Sequence, residues 1–207
     1  MHRHVLDVRA VEGVLYDLDG VLIDSGEAWF RVVNRGRARY GYPAIALAEF
    51  RATFGQGVDA DQTQFFPGQS VPEVWAFYES TFPEELDAVA LNEGALEVLD
   101  ALGARGLRQA VVTNTPRALA LRILEAKRLE PHLDAVAAAG EAREKPEPDL
   151  LLLALKRLHL EPHQALYVGD SPTDLAAARA ANVTMAGLGI DGYLRLATLR
   201  ELLAILT

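Results

Sequence analysis

Four short stretches of the chain concentrate carboxylates, hydroxyls and a lysine. They are Asp17-Leu18-Asp19-Gly20, Thr113-Asn114, Lys145-Pro146-Glu147-Pro148 and Gly169-Asp170-Ser171-Pro172-Thr173-Asp174. Brought together, Asp17, Asp19, Asp170 and Asp174 would repel one another, and some would have to take up protons. A bound divalent cation relieves that repulsion. Hard oxygen donors without His or Cys point to Mg2+, which takes few carboxylates plus waters and substrate phosphate. Lys145 and the Thr113 hydroxyl would face the ion from the opposite side. A metal on one flank and an ammonium with a hydroxyl on the other frame a gap suited to a dianionic phosphate. The lysine is informative in itself, since the chain has 17 Arg and only 3 Lys.

Such a cluster needs elements that deliver its members to one place. Gly13–Tyr16 is a short apolar run that stops at Asp17 and reads as a buried strand. Gln109–Thr113, Leu133–Ala138, Ala165–Gly169 and Val183–Gly187 read as further strands. Helical spacing fills Ala95–Arg105 up to Gly106, Pro148–Leu158, and the segments opened by Thr115-Pro116 and Ser171-Pro172. Thr198-Leu199-Arg200-Glu201 has the form of a capping box for a last helix. Strands alternating with helices predict a doubly wound, Rossmann-like α/β core with a parallel sheet, where ligands bind beyond the carboxyl ends of the strands.

Residues 25–92 have a different texture. They hold 12 of the 15 aromatics and none of the lysines, with Gly and Pro breaks between short amphipathic runs such as Trp29–Arg39 and Pro72–Tyr78. The segment reads as an all-α cap of about four helices. The expected division is a core of residues 1–24 and 93–207 with a cap at 25–92.

Bulk properties narrow the function. The 207 residues are 50% hydrophobic and carry a formal charge of −9. That charge disfavours nucleic acid as a partner but leaves room for a local anion site. With no cysteine, disulfides, zinc–thiolate sites and thiol catalysis are excluded. No apolar run is long enough to span a membrane and Met1–Val5 opens no signal-like region, so a cytoplasmic location is expected.

Taken together, the stretches 17–25, 111–115, 145–149 and 168–174 resemble, in order, the four motifs of the haloacid dehalogenase-like phosphatases. The resemblance spans nearly the whole chain. It implies Asp17 as a nucleophile forming an aspartyl-phosphate and Asp19 as general acid and base. It implies Asp17, Asp170 and the Asp19 carbonyl as Mg2+ ligands, with Asp174 holding a metal-bound water or Lys145. Thr113 and the Asn114 amide would bind phosphoryl oxygens while Lys145 neutralises charge. The family's dehalogenases lack an acid at the position of Asp19, so the resemblance favours a phosphatase. Among relatives with such a cap, the chain looks most like phosphoglycolate phosphatases, so the expected partner is a small phosphorylated metabolite, bound by a monomer or homodimer.

A β-phosphoglucomutase-like phosphotransferase or a pyrophosphatase is the alternative, though Trp29 stands where the mutases carry a His. A cap without lysine excludes Schiff-base phosphonate hydrolysis. The order of the acids disfavours a receiver domain, and the full set of reactive groups gives no support to a catalytically silent binding relative. Elsewhere plainer roles are expected. Ser171 reads as a helix cap, and His2, His4, His132, His159 and His163 as surface or capping residues. Arg31, Arg35, Arg37 and Arg39 read as a solvated helix face, with one of them or Arg51 as the cation that could reach a substrate. Trp29 and Phe30 read as cap core, and Gly55-Gln56-Gly57 as a loop facing the site.

Overall fold

The computed structural model describes residues 8–206, so His2 and His4 lie outside the described residues. The chain enters through β1 (Gly13–Tyr16), passes the short β2 (Ile23–Asp24) and then forms α1 (Gly26–Arg39), α2 (Leu47–Arg51), α3 (Val58–Phe65) and α4 (Val71–Thr81). It returns through β3 (Ala90–Leu91) to α5 (Ala95–Ala104), β4 (Arg108–Pro116), α6 (Arg117–Ala126), β5 (Ala135–Ala139) and α7 (Asp149–Leu158). It ends with β6 (Ala165–Gly169), α8 (Pro172–Ala180), β7 (Thr184–Leu188), β8 (Leu194–Leu196) and α9 (Glu201–Ile205).

Six strands form one parallel sheet in the order β5-β4-β1-β6-β7-β8. The doubly wound α/β core expected from the sequence is therefore present. Strand alternation explains the layering. Val14 and Tyr16 point into a core shared with α5, α6 and α9, while Leu15 points into a second core with α7 and α8. β1 lies between β4 and β6, so Asp17 emerges with the ends of both neighbours beside it. This is the place where the winding reverses, and the place where such sheets bind ligands.

The four helices α1–α4 lie between β2 and β3, which pair antiparallel through Ile23 with Leu91 and Asp24 with Ala90. The chain thus leaves and re-enters the sheet domain through one two-stranded stem. Asn92 Nδ2 donates to the carbonyls of Gly20 and Val21, both at 2.9 Å, and ties the stem to the turn that carries Asp19. The aromatic texture becomes the packing of this helical part: Phe65, Phe66, Tyr78 and Phe82 are each no more than 1% exposed. A Cβ on Gly36 would meet Phe66 and Phe77 at 2.8 Å, so only glycine lets α1 come this close.

Several expectations need correction. The helix expected after Thr115-Pro116 is present, but its start is shifted: both residues finish β4, and α6 begins at Arg117 with Pro116 at its N-cap. The Thr115 side chain has a better partner, described below. The Thr198 capping box does not form, because α9 starts at Glu201 after Arg200 and has no side-chain cap. Glu201 instead accepts from the Ala197 N–H at 3.3 Å. Arg37 is not solvated: it is buried and donates to the carbonyls of Pro43 and Phe65. Arg31, Arg35 and Arg39 are exposed as expected, and the first two pair with Glu27, Glu84 and Glu85. Ser171 does cap α8, accepting from the Asp174 N–H at 3.1 Å.

Candidate active site

The β1 turn bends sharply after Asp17. Gly20 adopts φ +82°, and a Cβ there would sit 2.0 Å from Asp170 Oδ2. Glycine is required on both counts: an L side chain would be strained, and it would displace the Asp170 carboxylate from beside Asp17. Gly169 plays the same part on β6, where a Cβ would meet Asp174 at 2.5 Å. With that room available, Asp17, Asp170 and Asp174 each place an oxygen within 4.8 Å of the others.

Lys145 closes the cluster. Its Nζ lies 2.9 Å from Asp17 Oδ1 and 2.7 Å from Asp174 Oδ1, and also donates toward Tyr167 Oη and the Val112 carbonyl. The lysine is 2% exposed, so the ammonium is held by protein acceptors on all sides. Burial alone would lower its pKa, but Asp17 and Asp174 outweigh burial and raise it above the ordinary lysine range.

Asp174 is saturated. Its Oδ1 accepts from Lys145 and from Tyr167 Oη at 2.6 Å, and its Oδ2 accepts from Ser171 Oγ at 2.6 Å and the Ser171 and Asp170 N–H groups. Burial opposes its charge, yet Lys145 and these donors hold it below the ordinary carboxylate range. Asp17 and Asp170 behave in the opposite way. Burial first, then Asp174, pushes Asp17 well above the ordinary value despite Lys145. The same two influences, with Lys145 opposing, push Asp170 up to about 7. Two carboxylates that resist ionisation side by side, with hard donors and a glycine-made gap, fit a divalent cation that would stabilise both charges.

Asp19 points away from this group. Its Oδ1 accepts from Ser25 Oγ and from Trp29 Nε1 at 3.1 Å, and its Oδ2 accepts from Thr115 Oγ1 at 2.7 Å. The Asn114 side chain clamps the Lys145 backbone, donating to the lysine's carbonyl at 2.9 Å and accepting from its N–H at 2.8 Å. It also reaches the Gly55 carbonyl at 3.3 Å, so the glycine-bounded loop does meet the site. Thr113 Oγ1 accepts from the Thr115 N–H at 3.0 Å, and its hydroxyl hydrogen has no acceptor among the described residues.

A partly open cavity of about 50 Å³ lies over these groups. Asp17, Asp19, Thr113 and Lys145 form its floor, and residues from α1–α4 and the loop after α2 form its roof. Trp29, expected as cap core, is both: it packs on Tyr78 and Phe82 and touches Asp19. Sequence reasoning missed Thr115, Tyr167 and Asp61. Thr115 lines the cavity beside Thr113, where the register of β4 against β5 shifts. Nothing in the local pattern marks Tyr167 or Asp61.

The haloacid dehalogenase-like hydrolase family matches residues 14–188. The chain belongs to this family. It is 33% identical over 202 residues to a phosphoglycolate phosphatase of Rhodospirillum rubrum, covering 89% of this chain and 81% of the relative. It is also 33% identical over 178 residues to the plasmid-encoded phosphoglycolate phosphatase of Cupriavidus necator, covering 82% and 77%. The crystal structure of CbbY from Rhodobacter sphaeroides in complex with phosphate superposes with a TM-score of 0.81 at 24% identity, covering 95% of this chain and 99% of that one, and shares the fold. Within the family the chain falls in the phosphoglycolate phosphatase-like subgroup, and it is a phosphatase.

Proposed function

We propose that the chain hydrolyses the phosphate monoester of a small metabolite through an aspartyl-phosphate on Asp17, with Mg2+ as cofactor. One observation carries this reading: Lys145 bridges Asp17 and Asp174 while Asp170 stands beside them, although the acids lie on strands far apart in sequence. Asp17 Oδ1 is held by Lys145 and by the Leu18 N–H at 2.7 Å. Oδ2 has no donor among the described residues, and it is the atom that attacks phosphorus. As the P–O bond of the ester breaks, Asp19 gives its proton to the leaving alkoxide. Asp19 then takes a proton from the water that attacks the acyl-phosphate, releasing inorganic phosphate and restoring Asp17.

Asp17, Asp170 and the Asp19 carbonyl would hold the Mg2+. Bound there, the ion supplies charge neutralisation to crowded carboxylates and to the phosphoryl oxygens. Asp174 has no spare lone pair for it and instead fixes Lys145. Thr113 offers its free hydroxyl hydrogen to a phosphoryl oxygen. Asn114 acts through Lys145, whose backbone it clamps. Ser25, Trp29 and Thr115 orient Asp19. Kinship alone points to phosphoglycolate, the substrate in the names of both curated relatives.

Phosphate release from p-nitrophenyl phosphate tests the reading. Turnover with Mg2+ that EDTA abolishes and Mg2+ restores is expected. A clean, folded preparation that releases no phosphate from this ester or from a panel of small metabolite esters would rule it out.

A further inference from the structure

The roof of the cavity has a chemistry of its own. Trp29, Phe50, Phe54, Phe65 and Tyr78 give it an aromatic lining, and the one charged side chain there is Asp61 on α3. Its Oδ1 accepts from Gln56 Nε2 at 2.8 Å and its Oδ2 from Tyr78 Oη at 2.8 Å, so the carboxylate is fixed at the wall. Each oxygen keeps a lone pair for one further donor. Burial raises Asp61 to about 6 against the pull of Gln56 and Tyr78, which leaves it mostly anionic at pH 7.5. Glu144 adds a second acid at this edge: a Cβ on Gly57 would meet its Oε2 at 2.1 Å.

No cap guanidinium balances these acids. Arg31 and Arg35 pair with Glu84 and Glu85 on the outside. Arg37 is spent on backbone carbonyls, and Arg39 lies over the rings of Tyr40 and Phe77. Arg51 is exposed and does not line the cavity. The cavity's single cation among the described residues is Lys145, already engaged at the floor.

We infer that Asp61 makes this site select phosphate monoesters whose alcohol carries no second negative charge and offers a hydroxyl or ammonium donor. This rests on the phosphatase reading and departs from kinship, because it places phosphoglycolate among the disfavoured substrates. The carboxylate of phosphoglycolate would enter an aromatic wall with an acid in it and no counter-charge, whereas a hydroxyl or ammonium of the same reach would donate to Asp61.

Two nearly isosteric probes separate the cases: 2-hydroxyethyl phosphate, with a neutral tail, and phosphoglycolate, with a carboxylate. With saturating Mg2+ at pH 7.5, kcat/KM for the wild-type enzyme is expected to favour 2-hydroxyethyl phosphate by about tenfold or more. Asp61→Asn keeps the shape of the wall and removes the charge. It should bring the ratio to within about threefold, chiefly through a lower KM for phosphoglycolate. A wild-type enzyme that prefers phosphoglycolate overturns the inference while leaving the phosphatase reading intact, and needs no variant to fold. A ratio unmoved by Asp61→Asn also overturns it. If neither probe nor p-nitrophenyl phosphate is hydrolysed, the phosphatase reading itself fails and takes this inference with it.

Discussion

Trp29 donates its indole N–H to Asp19 Oδ1 across 3.1 Å, so a side chain of the first cap helix touches the proposed general acid. The same ring packs against Tyr78 and Phe82, with centroids 5.1 and 4.4 Å away. The placement of the cap and the orientation of Asp19 are therefore linked through one residue. Trp29→Phe keeps much of the ring packing and removes the donor. Ser25 and Thr115 still hold Asp19, so a partial effect is expected: kcat falls about tenfold, ~1.4 kcal/mol, with KM for p-nitrophenyl phosphate little changed. An unchanged kcat would mean that the indole contact does not position the acid.

Asp17→Asn tests the nucleophile. The amide oxygen can still accept from the Leu18 N–H, and Lys145 keeps Asp174, so the fold should survive. Turnover should drop by about 10⁴-fold or more, and no phosphate should become covalently attached to the protein during reaction. Trapped label on the variant, or near-normal rates, would move the nucleophile elsewhere.

Lys145 has a structural as well as a chemical part. Lys145→Met leaves Asp17 and Asp174 buried without their shared cation, a change that typically costs about 3–5 kcal/mol. In a chain of this size that corresponds to a fall in Tm on the order of 10 °C. Adding Asp17→Asn to Lys145→Met removes one orphaned charge and should recover part of the loss. Calorimetry of the two variants without metal measures this directly. Equal Tm values for wild type and Lys145→Met would contradict the buried triad.

The sheet was legible in the sequence because its strands are short apolar runs that end where polar residues begin. Asp17 after Tyr16 and Asp170 after Gly169 both follow that rule. Ser171-Pro172 and Thr115-Pro116 were both legible as helix starts, although Thr115 and Pro116 also finish β4 and α6 begins only at Arg117. That shift is tertiary: the Thr115 hydroxyl reaches Asp19 from another strand, which no local pattern encodes. Arg37 was misread for a related reason, since helical periodicity cannot report that the carbonyls of Pro43 and Phe65 face it. Tyr167 looked like one more apolar strand residue until its hydroxyl met Asp174. Asp61 was invisible because its meaning depends on which wall of a cavity α3 supplies.

Metal binding should be readable apart from activity. On the proposed reading, Mg2+ would bind the folded site and raise stability by RT ln(1 + [Mg]/Kd), about 2.7 kcal/mol at a hundredfold excess over Kd. The wild-type Tm should therefore climb with Mg2+ and return on adding EDTA. Asp170→Asn removes one carboxylate from the cluster and should flatten that titration. It should also raise the Tm of the metal-free protein slightly, because a half-buried acid that resists ionisation is gone. An identical Mg2+ response in both proteins would place the ion elsewhere.

The loop before Lys145 predicts a pH dependence of stability. Burial, then Asp59 and Asp61, pushes Glu144 from an ordinary value of 4.5 up to about 7, against an opposing bond from the Val58 N–H. Between those values the folded chain binds more protons than the unfolded one, so this group's contribution falls as pH rises. Its contribution is complete below pH 4.5 and is lost as pH passes through about 7. Glu144→Gln keeps the size that the space beside Gly57 admits and removes the titration. The variant should match wild type near pH 5 and be more stable at pH 8. Glu144 is half-buried, so the gain is discounted for solvent screening to about 1–2 kcal/mol, or roughly 2–8 °C in Tm. Thermal melts of both proteins in metal-free buffer from pH 5 to 8 measure the difference. A gap between the two Tm values that stays constant across that range would show that the Glu144 carboxyl titrates alike in the folded and unfolded chain.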